Sequence, residues 1–347
     1  MRIKGMTYDT GFIRPGNCSR EHFDPATVRR ELTIIRDDLH CNAVHIVGGD
    51  PGRLELAAQC AAELGLAVWF SPYPLELDRH QMLELFADCA QRAERLRRQG
   101  ADVVFVTGVE LTVMNPGFVP GNDPAERVAA LVSDPKLRAE NFAGVSARLN
   151  DFLAEAVAVV REHFAGPLTY ACIPFERVDW SQFDYVAVEL MRTAEVQDRF
   201  VDAVRNLVAQ PKPVVITGFG TATWKGSADI APRSMEIVDC DEHGRPLRIN
   251  GDYVRDEEGQ ATYLRELLEI YDEAGVEGTF PFLFALESYP HRPDDPERDL
   301  DLASVGIVKV LENGRGETYP DMAWEPKAAF TAVADYYRKQ DDRRRSR

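Results

Sequence analysis

The sequence predicts a single (β/α)8 barrel, and three observations support this fold class. Short apolar runs rich in β-branched residues recur eight times, and longer segments with helical periodicity separate them. The runs are almost continuously apolar, as in strands covered on both faces, and strands joined through helices must be parallel. The chain has 347 residues, enough for a barrel of roughly 250 residues with long loops. A doubly wound open sheet is the alternative, but no GxGxxG motif follows the first apolar run.

The strands and helices alternate along the whole chain. Aspartate followed by proline at Asp24-Pro25 and again at Asp50-Pro51 predicts the starts of the first two helices. The connection between the fifth and sixth strands is too short for a full helix. The predicted strands are 3–8, 42–47, 66–71, 102–107, 168–173, 185–190, 213–217 and 278–285, and the later helices are 78–99, 137–164, 194–209, 259–274 and 326–338.

Two long polar segments interrupt the alternation, 117–135 after strand four and 221–258 after strand seven. Both leave the carboxyl ends of strands, where active sites of this fold lie, and loops of this length are often functional. The second predicts a β-hairpin around His243-Gly244, and we expect segment 221–258 to act as a lid. The barrel domain is predicted over 1–340, followed by a disordered basic tail at 341–347.

Composition excludes several classes of function. The formal net charge is −17, which argues against nucleic acid as a partner because phosphate binding needs clustered Lys and Arg. No apolar run is long enough to cross a membrane, and the six cysteines lack zinc spacing. The start of the chain has no apolar signal segment. We therefore expect a cytoplasmic protein that acts on a small molecule, with no metal and no cofactor; the oligomeric state is left open.

In a barrel, the residues at the strand ends form the site. The ends carry an unusual number of acidic and aromatic residues, which indicates acid–base chemistry in an aromatic-lined funnel. A lone histidine at such a position is more often structural than catalytic, and the aromatic residues often only pack. The candidates for acid–base work are Glu110, Glu189, Glu287 and His45; those for substrate binding are Tyr8, Asp9, Asp50, Tyr73, Arg192 and Trp224.

Three short motifs, in the expected order, resemble the (β/α)8 glycoside hydrolases that use one glutamate at the end of strand four and another at the end of strand seven. They are Lys4-Gly5-Met6-Thr7-Tyr8, Val109-Glu110-Leu111 and Thr217-Gly218-Phe219-Gly220. The resemblance implies that Glu110 is the acid/base. Two positions depart from it, because Val109 replaces the asparagine that holds the substrate 2-hydroxyl and Gly218 replaces the nucleophile. A retaining glycosidase needs both carboxyl groups, so Gly218 is interpreted as room for a bulkier substrate.

These departures predict an enzyme that performs non-hydrolytic acid–base chemistry on a hydroxylated secondary metabolite, either dehydration to a double bond or cyclisation. Glu110 would protonate the leaving hydroxyl, and His45, Glu189, Glu287 or a tyrosine would accept the carbon-bound proton. One alternative is a glycosidase in which Glu189 or Glu287 supplies a relocated base. A second alternative is an inactive barrel that only binds carbohydrate.

Overall fold

Eight parallel strands close into a barrel in the computed structural model, which describes residues 1–132 and 138–345. Each strand pairs with its sequence neighbours, and β1 closes the barrel by pairing with both β2 and β8. The predicted fold class and all eight strands are confirmed. The strands are β1 Ile3–Asp9, β2 Ala43–Gly48, β3 Ala67–Pro72, β4 Val103–Val109, β5 Leu168–Cys172, β6 Val186–Glu189, β7 Val214–Gly218 and β8 Gly278–Thr279.

Helices cover the outside of the barrel, and the aspartate caps begin them as predicted. Asp24 accepts a hydrogen bond from the backbone of Thr27, and Asp50 accepts one from that of Arg53. Between β5 and β6 there is only a 3₁₀ turn, Trp180–Gln182, which confirms the degenerate fifth helix. The main helices are Pro25–Asp37, Pro51–Glu63, Arg79–Arg98, Arg138–His163, Gln197–Val208, Glu257–Ala274 and Ala328–Arg345.

The last strand is shorter than the sequence predicts. Only Gly278 and Thr279 keep ladder pairing, with β1 on one side and β7 on the other. The apolar residues that follow remain buried, and Phe280 still donates a backbone hydrogen bond to Ile216 at 2.8 Å. The apolar run of 278–285 therefore reflects burial at the barrel wall more than regular strand geometry.

The two long segments lie at the carboxyl end of the barrel, as expected. The segment after β4 contains two helices, Leu111–Met114 and Pro124–Val132, and residues 133–135 lie outside the described residues. The segment after β7 contains the antiparallel pair Val238–Cys240 and Pro246–Ile249, so the predicted hairpin is confirmed.

The final helix continues to Arg345, past residue 341, where the sequence predicts the start of a disordered tail. The buried ammonium of Lys4 lies 2.5 Å from the carboxylate of Asp341, which fixes this turn of the helix to the base of β1. Residues 346–347 lie outside the described residues. Among the helices of 1–132 and 138–345, none combines the length and the apolar character that a membrane span requires.

Candidate active site

Glu110 follows β4 directly, at a sharp turn into the helix Leu111–Met114. Its backbone is left-handed, with φ 47° and ψ 37°, a conformation that costs a non-glycine residue roughly 1–2 kcal/mol. The Glu110 amide donates to the carbonyl of Ala171 at 3.0 Å, and the amide of Leu111 donates to the Tyr170 hydroxyl at 2.9 Å. Two bonds to β5 therefore hold the turn that aims this carboxyl across the barrel mouth.

Glu189 ends β6, and its carboxyl lies against Gly218 at the end of β7. The register of these strands shifts between Val188 and Glu189, so Glu189 pairs with Gly218. A Cβ built on Gly218 would lie 2.6 Å from both Cδ and Oε2 of Glu189, closer than side-chain atoms can approach. The carboxyl from β6 therefore fills the space in which a side chain on residue 218 would begin.

The carboxyl groups of Glu110 and Glu189 lie side by side on the wall of the barrel mouth, within hydrogen-bonding reach of each other. Burial, together with the charge of Glu176, raises the pKa of Glu110 to about 7. Burial and the charge of Glu110 raise the pKa of Glu189 well above its usual range, and the hydrogen bond to Glu110 raises it further. Two carboxylates this close cannot both ionise readily, so the pair retains a proton at neutral pH.

Glu176 is a third buried carboxyl beside this pair; the sequence places it after the end of strand five, among the strand-end residues, but assigns it no role. It accepts hydrogen bonds from the Thr112 hydroxyl at 2.6 Å, the Tyr170 hydroxyl at 2.9 Å and the Ile173 amide at 3.0 Å. Burial raises its pKa to about 7. The sequence feature that indicates this carboxyl is an acidic residue four positions after Cys172, the last residue of β5. When Glu176 is ionised, its charge raises the pKa of Glu110.

A cavity of about 330 Å³ opens above the pair, a volume typical of small-molecule sites. Its wall is mainly apolar, and Tyr73 packs edge-on against Phe12 with ring centroids 5.1 Å apart. Apart from the carboxyl pair, the polar and charged side chains on this wall are Arg14, Asn17, Ser19, Tyr73, Ser288 and Tyr289. Besides Glu110 and Glu189, the lining residues are Phe12, Arg14, Asn17, Ser19, Tyr73, Leu75, Val109, Met114, Met191, Gly220, Ala231, Pro232, Met235, Gly244, Pro246, Phe282, Leu286, Ser288, Tyr289 and Val305.

Two hairpins meet over this cavity. The first consists of Ile13–Arg14 and Asn17–Cys18, and the second is the hairpin after β7. The Asn17 side chain donates to the Gly244 carbonyl at 3.1 Å, and Arg245 Nε donates to the Gly16 carbonyl at 2.8 Å. The tip of the predicted lid segment thus forms part of the cavity wall; that it opens and closes stays a prediction.

Among the sequence candidates, Glu110, Glu189 and Tyr73 line this cavity, and Gly218 lies directly beside Glu189. His45 lies lower, inside the barrel, because it is the third residue of β2 and not its last. Its ring packs 5.6 Å from that of Phe280, and burial lowers its pKa to about 3. The imidazole is therefore neutral and does not reach the cavity.

Glu287, Tyr8 and Asp9 belong to a separate buried network. Arg20 pairs with Glu287 at 3.0 Å, and Tyr8 donates to Glu31 at 2.6 Å. Asp9 accepts from the Ser19 hydroxyl at 2.6 Å, and burial raises its pKa to about 6. These groups support the first hairpin from behind and are not cavity residues.

The remaining candidates also have partners elsewhere. Asp50 caps a helix. Arg192 pairs with Glu266 at 2.6 Å on the outer surface. Trp224 packs against Tyr253 and donates to a backbone carbonyl. Within residues 1–132 and 138–345, no three His, Cys, Asp or Glu side chains are grouped so that they could hold a metal ion.

Solved structures with the same arrangement of strands and helices include several glycosidases. A GH113 β-1,4-mannanase in complex superposes with a TM-score of 0.62 and 16% sequence identity, covering 97% of this chain and 99% of that one. The GH113 β-mannanase AaManA from Alicyclobacillus acidocaldarius, in complex with ManMIm, gives 0.59 and 17%, covering 97% of each chain. A β-glucuronidase from Ruminococcus gnavus gives 0.53 and 14%, covering 97% of this chain and 49% of that one.

No protein-family model matches the sequence, and no curated protein matches it. The structural matches therefore define the architecture and not the substrate. The chain has the (β/α)8 barrel fold of the glycoside hydrolases.

Proposed function

We propose that this protein is an enzyme that cleaves a carbon–oxygen bond by general acid–base catalysis, removing water from a hydroxylated small molecule. The observation that carries the proposal is the adjacent carboxyl pair Glu110 and Glu189, which faces an apolar cavity. Such a pair holds one proton to give and one carboxylate to receive another. Two adjacent groups of this kind suit a syn elimination of water, in which the proton and the hydroxyl leave from the same face of the substrate.

The roles of the two carboxyl groups follow from their pKa values. The sequence predicts Glu110 as the acid; in this proposal the acid is Glu189, because burial and the charge of Glu110 raise its pKa well above the usual range. Glu189 donates its proton to the leaving hydroxyl, and the carbon–oxygen bond breaks to release water. The Glu110 carboxylate takes the proton from the neighbouring carbon, whose electron pair forms the double bond. A proton then passes from Glu110 to the adjacent carboxyl of Glu189, which restores the initial state.

The cavity wall favours a substrate with extensive apolar surface. Apolar side chains, among them Met114, Met191 and Phe282, form most of it. An oligosaccharide carries many hydroxyl groups that would lose their hydrogen bonds to water against such a wall, and each unpaired polar group is costly. The secondary metabolite expected from the sequence satisfies this condition better.

The test is to incubate the purified protein with hydroxylated polyketide and terpenoid alcohols and to detect loss of one water by mass spectrometry. Glu110→Gln and Glu189→Gln should each lower kcat by about 100-fold or more, because each removes a proton-transfer group. Glu162→Gln, on the exposed face of Arg138–His163, is the matched control and should keep full activity. Full activity in Glu110→Gln would reject the mechanism.

Glycoside hydrolysis is the second candidate, and the position of Glu189 favours it. Its carboxyl lies against the end of β7, where the resemblance predicts the missing nucleophile. In this variant of the proposal Glu110 is the acid/base, and Glu189 attacks the anomeric carbon in its ionised form. Release of nitrophenol from aryl glycosides, with formation of a glycosyl azide by Glu189→Gly in azide, would support it. Oligosaccharide binding without turnover, unchanged in Glu110→Gln, would instead support the inactive carbohydrate-binding barrel.

A further inference from the structure

Arg14 is a cationic side chain on the wall of the same cavity as Glu110 and Glu189. It lies on the first hairpin, is half-buried, and points under the turn of the second: a Cβ on Gly244 would lie 3.8 Å from its Nη1. Its Nη2 lies 3.9 Å from the thioether sulfur of Met114. The two hairpins and Met114 thus hold the guanidinium at the cavity.

Arg14 has no carboxylate partner within 4.0 Å among the residues that the structure describes. Arg53, half-buried nearby, also lacks a carboxylate partner among these residues, but its guanidinium donates to the backbone carbonyls of Arg20 and Glu21. The two other buried arginines near the barrel mouth are both paired: Arg20 with Glu31 at 2.8 Å, and Arg127 with Glu76 at 2.6 Å. A half-buried guanidinium that faces an apolar wall is stabilised when an anion binds to it, because the anion replaces hydrogen bonds to water that burial removes.

Tyr73 lines the same cavity as the carboxyl pair and Arg14. The pKa of this phenol is raised by burial and then by the charges of Glu110 and Glu189, while the charge of Arg14 acts in the opposite direction. Tyr73 therefore lies within the field of both groups. The cavity has an acidic end at the carboxyl pair, a cationic point at Arg14 and apolar surface along the rest of the wall.

We propose that Arg14 binds a carboxylate of the substrate and so orients the molecule with its reacting carbons at Glu110 and Glu189. The planar guanidinium matches a carboxylate in a two-point contact. A phosphate would fit the same fork, but its second negative charge is unfavourable near a buried pair that itself carries a charge. This inference rests on the proposed function and narrows it: the substrate is an apolar hydroxy acid.

Binding of two fluorescent probes tests the inference without requiring turnover. Dansylglycine carries a carboxylate, whereas dansylglycinamide has a neutral amide in its place. The protein should bind dansylglycine about 10-fold more tightly, the typical effect of one charge-assisted hydrogen-bonded contact. Arg14→Met should remove this preference while leaving amide binding unchanged, and Arg14→Lys should retain part of it. Arg248→Met is the control, since Arg248 pairs with Asp239 on the exposed face of the second hairpin.

Three results would overturn the inference: no binding of dansylglycine, equal binding of the two probes, or a preference that survives in Arg14→Met. Met235→Trp, which fills the cavity, should weaken the binding of both probes. Binding of dansylglycine that stays at full strength in Met235→Trp would locate the probe outside this cavity and would also contradict the proposal. If dehydration is absent but the preference depends on Arg14, only the assigned reaction fails.

Discussion

The carboxyl of Glu189 and the Cα of Gly218 are so close that residue 218 has no room for even a methyl group. The nearest carboxyl atoms would lie 2.6 Å from a Cβ at this position. The glycine that replaces the expected nucleophile is therefore not an empty space. Because residue 218 has no side chain, the Glu189 carboxyl from the neighbouring strand can occupy this space.

Gly218→Ala should therefore destabilise the protein through Glu189. We expect a cost of roughly 1–3 kcal/mol in the free energy of unfolding, the usual range for overpacking, together with reduced activity because the carboxyl is displaced. In a Glu189→Gly background the same substitution should cost almost nothing. Urea unfolding of the two single variants and the double variant measures this coupling.

Gly220→Ala provides the matched control for this cycle. Its Cβ would meet the backbone carbonyl of Phe282 at 2.6 Å, and removing the side chain of Glu189 cannot relieve that contact. If the costs of Gly218→Ala and Glu189→Gly simply add, Glu189 is not what fills the space at Gly218.

The pH dependence of turnover should be bell-shaped. Activity needs the base form of Glu110, whose pKa is raised to about 7, so kcat/KM should fall as the pH drops below this value. The alkaline limb should follow ionisation of Glu189, whose pKa is higher still. Initial rates between pH 5 and pH 10, in buffers of constant ionic strength, would show both limbs. A rate that stays constant through pH 7 would contradict the assignment of Glu110 as the base.

Glu110 should also make the stability of the protein depend on pH. Its pKa is raised in the folded state, so the folded state binds the proton more tightly than the unfolded chain. Below the unfolded pKa of about 4.5 the group is neutral in both states and costs nothing; the cost grows with pH and is complete above about pH 7. Glu110→Gln should therefore gain stability over the natural protein by up to about 3 kcal/mol at pH 8, and little at pH 4.5.

Urea unfolding at these two pH values measures the difference. Glu162→Gln on the exposed helix face serves again as the control and should show no such gain. An advantage of Glu110→Gln that is equal at both pH values would show that the carboxyl does not titrate in the way its burial implies.

The backbone at Glu110 provides a separate prediction. Because its φ is positive, Glu110→Gly should be more stable than Glu110→Ala by roughly 1 kcal/mol, since glycine adopts this conformation without strain. At Glu189, which lies in a strand, the order should reverse. Thermal unfolding of the four variants tests both orders, and an alanine variant at least as stable as the glycine variant at position 110 would contradict the strained turn.

The barrel could be predicted from the sequence because its signals are local. Each strand has its own apolar run, and the aspartate caps of the helices are read within four residues. The predicted β8 is too long because a buried irregular segment and a buried strand have the same apolar composition. The C-terminal helix was underestimated because the contact that fixes its end, from Lys4 to Asp341, spans nearly the whole chain.

The site is harder to predict from the sequence, because its contacts also join residues that are far apart along the chain. Position along a strand distinguishes Glu110, at the end of β4, from His45, which lies within β2. The contact between Glu189 and Gly218 depends on a register shift that no local pattern encodes. Arg14 was missed because its importance lies in the partner it lacks, and this is visible only when the surrounding side chains are placed.

The contact between the two hairpins also affects how the protein acquires its site during folding. One hairpin precedes the first helix, and the other follows β7, so the Gly16 carbonyl and Arg245 are 229 positions apart. An N-terminal fragment that ended before β7 would have Glu110 but neither Gly218 nor the second hairpin. During synthesis, the apolar wall around Phe12 and Tyr73 stays exposed to water until most of the chain has emerged. The cavity can therefore close only after the hairpin that follows β7 has been made and has docked on the first one.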